Sequence, residues 1–216
     1  PGLTNALHSE SPLLSISGSA DLSEAGRGSM QEIDQVGMAS SVVKESLTVY
    51  DARRIPDTIA RAVRIAFSGR RGPVHLTIPI DIQDQEIDEN EVVFYNPDEY
   101  RASESMNASP VLVQQAVALM REAKRPFVIA GDAAGYAQSG EVLQKFAETT
   151  RMPVLTEGQA RGMVGDDHPY GFGFFERGLN RAATKVRDAD LVIMLGRKQD
   201  YTIGFGRPPH IAADAK

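Results

Sequence analysis

The period of the apolar positions changes several times along this chain, and each change predicts an element. Pro12 to Ser17 read Pro-Leu-Leu-Ser-Ile-Ser and run into Gly18, a short apolar run that predicts a buried strand. Glycine, serine and charge dominate from Gly18 to Met30, so an exposed loop is expected there. Val42, Val43, Leu47 and Val49 predict short extended pieces around Lys44. Ile55, Ile59, Val63 and Ala66-Phe67 then recur every three or four residues. With Pro56 in a first-turn position and Gly69 past the end, they predict an amphipathic helix. Pro73 to Pro79 predicts a strand with proline at both ends.

Ile80 to Ser109 has little period and crowds Asp81, Asp84, Glu86, Asp88, Glu89 and Glu91 together. So long a stretch without a clear element reads as an interdomain linker, with one extended patch at Val92-Val93-Phe94. Ser109-Pro110 opens a helix to about Lys124, with Val113, Val117 and Met120 on one face. Strands follow at Phe127 to Ala130, Pro153 to Leu155 and Leu191 to Leu195. The helices between them are expected at Gly140 to Thr150 and Asn180 to Arg187. Apolar strands alternating with helices indicate a parallel sheet covered on both faces. The expectation is therefore an α/β chain with a first domain at 1–82, a linker at 83–108 and a Rossmann-like domain with a parallel sheet at 109–216.

Composition narrows the function classes. Of 216 residues 42% are hydrophobic and 24% charged, which predicts a buried core. A formal net charge of -6 speaks against a nucleic-acid partner, which calls for a basic face. No apolar run has the length of a membrane span, and there is neither a basic leader nor an apolar signal core, so a cytoplasmic protein without membrane contact is expected. The absence of cysteine excludes disulfides, thiolate metal sites and a cysteine nucleophile. His8, His75, His168 and His210 are scattered without metal-ligand spacing and read as surface or packing residues. The start at Pro1, and no helix pattern after the last strand, read as a piece of a longer protein. A sheet edge left open in its first half is expected to favour self-association or poor order around residues 1–50.

Three local patterns carry candidate chemistry. Gly131-Asp132-Ala133-Ala134-Gly135 lies between a strand and a helix, a place that suits phosphate, although it is not a full G-x-G-x-x-G. Gly69-Arg70-Arg71-Gly72-Pro73 is a basic turn, better read as a helix C-cap whose arginines complement the helix dipole than as a phosphate site. Lys44 is either a contact near a substrate channel or a solvated surface lysine.

Several stretches occur in an order that resembles a known family. They are Pro1-Gly2-Leu3-Thr4-Asn5, Ser11 to Gly18, Met30-Gln31-Glu32-Ile33-Asp34-Gln35, Val43-Lys44 and Ser68 to Asp81. Ala123 to Gly131 and Asp190 to Gly196 continue the series. Together they resemble the thiamine-diphosphate-dependent enzymes of the acetolactate synthase superfamily. The first part is similar to the latter portion of their pyrimidine-binding domain, and the second to their central domain.

The resemblance implies that Pro1, Gly2 and Asn5 form a turn against the cofactor's aminopyrimidine. It implies that Gln31 approaches the reacting centre and that Gly131 and Asp200 border a cofactor in the central domain. It further implies thiamine diphosphate and Mg²⁺ in the parent protein, a 2-keto acid or 2-hydroxyacyl substrate, and a homodimer or homotetramer. The family's activating glutamate and its Gly-Asp-Gly metal pattern have no counterpart in these residues, so the segment alone is expected to be inactive.

Central domains of the family hold FAD, ADP, CoA or nothing. Flavin-binding members often read Gly-Ala-Arg-x-Asp where this chain has Gly196-Arg197-Lys198-Gln199-Asp200. Lysine lacks arginine's planar fork of donors, which weighs against FAD. Six residues separate Asn5 from Pro12, where the family carries about seven more, close to two helical turns. Either the cofactor-side turn is distorted or the numbered sequence omits disordered residues.

Three functions follow from these readings. The first is a synthase-like enzyme making or breaking a C–C bond next to a carbonyl, to which Met30-Gln31-Glu32 points. The second is a lyase like 2-hydroxyacyl-CoA lyase or oxalyl-CoA decarboxylase, to which Ile203 to Pro209 points. The third is a nucleotide-binding or structural α/β module without catalysis.

Overall fold

A computed structural model of the chain describes residues 1–30, 32–101 and 107–216. It divides into two units, Pro1–Met106 and Asn107–Lys216, each built on its own parallel sheet.

The first unit runs α1 (Gly2–His8), β1 (Leu13–Ser19), α2 (Gln35–Ser40), β2 (Glu45–Thr48), α3 (Ile55–Phe67), β3 (Pro73–Pro79), α4 (Ile80–Gln83) and α5 (Pro97–Tyr100). Its strands pair in the order β1-β3-β2. The pairing puts Leu14 beside Val74, and both Ile16 and Leu47 beside Leu76, on one face. Val74 and Leu76 are fully buried there with Ala62 and Ala66 of α3, while Ile59, Ile65 and Phe67 pack around them. Removing each such aliphatic side chain from water contributes about 1.5–3 kcal/mol. The α3 helix ends as its sequence predicts, with Gly69 in left-handed backbone just beyond Ser68. Lys44 Nζ donates to the carbonyls of Ile65 and Ser68, the latter at 2.6 Å, so this cation closes the end of α3. Arg71 lies over the Phe67 ring and Arg70 pairs with Glu10.

Residues 84–101 hold more structure than their composition suggests. Asp88 caps a 3₁₀ turn at Glu89–Glu91, and Asn96 and Glu99 form a capping box around α5. The Arg101 guanidinium sits 4.4 Å from the centroid of the Phe67 ring. The expected extended patch at 92–94 is not a strand: Val92 has extended backbone, but Val93 and Phe94 are exposed and belong to neither sheet.

The second unit runs α6 (Pro110–Glu122), β4 (Pro126–Ala130), α7 (Asp132–Tyr136), α8 (Gly140–Thr150), β5 (Val154–Thr156), β6 (Gly171–Phe174) and β7 (Leu191–Leu195). The strand order is β6-β5-β4-β7, all parallel. Both faces are apolar. Val128, Ala130 and Val154 pack with Leu143 and Ala147 of α8 on one side. Ile129 and Leu155 pack with Phe175, Val186 and Ile203 on the other.

Two expectations need correction here. The helix expected at Asn180 to Arg187 is a 3₁₀ segment, Ala183–Asp188. The Asn180 side chain accepts from the amide of Ala182, and the bonds Lys185 N–H to Ala182 and Ala189 N–H to Val186 close over three residues. The α6 helix forms, but of its expected face Val113 is exposed, and only Met120 joins the core cluster.

Candidate functional site

In open parallel sheets ligands bind outside the carboxyl ends of the strands, where loops leave the sheet. The carboxyl edge of the first sheet carries a hollow. Ser19 and Ala20 end and follow β1, Thr48 and Tyr50 end and follow β2, and Thr77 comes from β3. The loop leading into α2 covers it with Glu32, Ile33, Asp34, Gln35 and Val36.

That loop is held by its own carboxylate. Glu32 accepts from the amides of Gly26, Gly28 (2.9 Å) and Ser29 (3.1 Å). The backbone hydrogen bonds from Gly26 and Gly28 hold its carboxyl below the usual range, so the clasp is charged at neutral pH. Asp34 caps α2 through the amide of Gly37, which directs Gln35 back onto the sheet. The Gln35 amide donates to the Gly18 carbonyl at 2.8 Å, and its oxygen accepts from the Ser17 hydroxyl.

Ser17 belongs to a polar face that the strand register assembles. Ser15 and Ser46 flank His75, while Ser17 and Thr48 flank Thr77. His75 is 5% exposed, and its ring nitrogens lie 3.3 Å from Ser15 Oγ, 3.3 Å from Ser17 Oγ and 3.1 Å from Thr77 Oγ1. Burial holds its pKa below the ordinary histidine value, so the ring is neutral at pH 7. A polar path therefore runs from Gln35 and Thr77 in the hollow to a neutral imidazole inside. One of four scattered histidines, His75 reads from the sequence as a surface or packing residue, and this path is missed. The alternation Ser15/Ser17 and His75/Thr77 was its one visible sign.

The positions singled out from the sequence separate as follows. Gln31 lies outside the described residues, although its neighbour Glu32 lines the hollow. Pro1, Gly2 and Asn5 do not form an isolated turn. Pro1 is the N-cap of α1, and its carbonyl accepts from Asn5 N–H. The C-terminal end of α1 is at the sheet's amino edge, where a side chain on Gly72 would meet Leu7 at 3.5 Å. Around Gly2 the nearest 4 Å are open. Lys44 also sits at the amino edge, its amide bonded to the Pro73 carbonyl, and not at the hollow.

Gly131 and Asp200 do meet in the second unit, through Arg197. Gly131 follows β4 and caps α7, and Arg197 comes after the neighbouring strand β7. The Arg197 side chain is 3% exposed; it pairs with Glu157 and reaches Asp200 through both terminal nitrogens, at 2.9 and 3.3 Å. Asp200 also accepts from the Thr202 amide at 3.0 Å. Burial pushes Asp200 up, but the bonds from Thr202 and Arg197 outweigh it and leave the carboxyl below its ordinary value. Burial dominates at Glu157 and raises it despite Arg197. Among the described residues no group of three or more histidine, aspartate or glutamate side chains is placed to hold a metal ion, and no helix is long and apolar enough to cross a membrane.

Comparison with known proteins fits this architecture. The family described as thiamine pyrophosphate enzyme, central domain, matches residues 113–216. Over all of its length the chain is 31% identical to 2-hydroxyacyl-CoA lyase of Arabidopsis thaliana, covering 37% of that protein. It is 29% identical to oxalyl-CoA decarboxylase of Escherichia coli, over 95% of the chain and 36% of the relative. It is 30% identical to a probable acetolactate synthase large subunit of Methanocaldococcus jannaschii, over 100% of the chain and 36% of the relative. The chain thus spans little more than a third of the length of these relatives.

Proposed function

From the premise that this chain belongs to the thiamine pyrophosphate enzymes, with their central domain at residues 113–216, we propose that it serves a reaction that makes or breaks a carbon–carbon bond next to a carbonyl. The observation that carries this reading is the hollow at the carboxyl edge of the first sheet, roofed by the Glu32–Val36 loop. Its lining suits one edge of a planar, partly polar heterocycle. Leu22, Ile33 and Val36 offer apolar contact, and Ser19, Thr48 and Thr77 offer hydroxyls to ring nitrogens or an exocyclic amine. When bound, thiamine diphosphate supplies a carbanion nucleophile and an electron sink.

The chain's own part is to position and to exclude water. The Glu32 clasp and the Gln35 bridge hold the Glu32–Val36 loop over the hollow. The neutral His75 cluster beneath keeps that floor polar without adding charge. A 2-keto acid such as pyruvate is the substrate class of a synthase-like parent. The matches to 2-hydroxyacyl-CoA lyase and oxalyl-CoA decarboxylase favour, as a second reading, a lyase acting on a 2-hydroxyacyl or oxalyl thioester.

With thiamine diphosphate and Mg²⁺, the whole protein that contains these residues is expected to consume pyruvate or to cleave a 2-hydroxyacyl-CoA. The 216-residue chain alone is expected to do neither. Inertness of the whole protein toward both classes, measured by release of carbon dioxide and aldehyde, overturns the reading. So does measurable pyruvate turnover by the isolated chain.

A further inference from the structure

We infer that the second unit is closed to the pyrophosphate of ADP or of a dinucleotide at its topological switch point, because Arg197 of the same chain fills that place. The switch point follows from the strand order. From β4 the chain steps outward through β5 and β6, then returns to place β7 on the other side of β4. The crevice between the carboxyl ends of β4 and β7 is where a phosphate would be expected to approach backbone amides.

Three independent features of that crevice oppose a phosphate. The first is volume. A Cβ built on Gly131 would lie 2.6 Å from Arg197 Cδ and 2.9 Å from its Cα and Cβ. A glycine here normally lets a ligand come close to the backbone; in this chain the space it opens is taken by arginine. The second is the supply of donors. The Ala133 amide at the start of α7 already donates to the Gly196 carbonyl at 3.1 Å, and the Gly131 amide donates to the Leu195 carbonyl at 2.9 Å. The third is charge. Glu157 and Asp200 both hold Arg197. Two carboxyl groups on one guanidinium leave it no net positive charge to offer a pyrophosphate.

This inference is independent of the reaction proposed above, and two measurements test it on the intact chain. In the first, amide hydrogen exchange at Gly131, Ala133 and Gly196 is followed with and without millimolar ADP or FAD. Unchanged rates are expected, and ligand-dependent slowing at these amides overturns the inference. In the second, the triple variant Arg197→Ala/Glu157→Gln/Asp200→Asn removes the plug and both carboxylates it would strand. Calorimetry should find ADP bound at least about tenfold more tightly by this variant than by the unaltered chain. Equal affinity, or equal refusal, in the two proteins overturns the role given to Arg197.

Discussion

In the first unit one face of a parallel sheet is polar, with Ser15, Ser17, Ser46, Thr48, His75 and Thr77 pointing the same way under the short α2 helix. In the second unit a parallel sheet of similar size is apolar on both faces, with Val128 and Val154 on one side and Ile129 and Leu155 on the other. Parallel sheets are ordinarily buried and apolar on both faces. The second sheet obeys that rule and the first breaks it. The difference is instructive: a polar sheet face costs folding free energy unless its groups are paired. Here most of them pair around His75, directly beneath the hollow, while Ser46 Oγ has no partner among the described residues. The second unit places its buried polar groups at the strand ends instead, in the Glu157, Arg197 and Asp200 cluster.

The largest effect that would sharpen this contrast lies in the second sheet. Leu155→Ala should lower unfolding free energy by about 2–5 kcal/mol in denaturant titrations, because Leu155 is fully buried between packed layers. Ser17→Ala should cost only about 1–3 kcal/mol, the price of leaving the Gln35 and His75 groups short of a partner. Equal losses at the two positions would break the comparison.

A smaller and more specific effect concerns pH. Burial depresses the folded-state pKa of His75 below its ordinary value of 6.5, so the unfolded chain takes up a proton first as pH falls. Stability from the neutral ring is therefore complete above pH 6.5 and is lost as pH falls through that value toward the lower folded pKa. Thermal unfolding of the unaltered chain should weaken more between pH 7.5 and roughly pH 5.5 than that of His75→Gln, which cannot titrate. Parallel pH profiles would show that His75 is not the buried base described here. The smallest effect belongs to the exposed strand β1, where Ile16 is 53% exposed despite facing the apolar side. Ile16→Thr should change stability by no more than about 0.5 kcal/mol in the same titrations.

Much of the fold was legible locally. Proline and glycine punctuation located α3 and β3, and the apolar runs located β4, β5 and β7, because backbone preferences and burial act over a few residues. The resemblance carried by the ordered motifs matched the family found by comparison. Less of the candidate site could be read. The grouping of His75 with Ser15 and Ser17 depends on strand register across about 60 residues, as does the meeting of Gly131 with Arg197. Lys44 gave no local sign that it would close α3.

The order of hydrophobic and polar residues by itself determined that this chain is α/β with a parallel sheet in its second half, since continuous apolar runs dictate which strand faces must leave water. Only the tertiary structure decided which polar side chains meet. Pairing distant strands in one register brought a neutral histidine under the hollow of the first unit. In the second it drove an arginine into the crevice that a pattern of glycines had seemed to leave open.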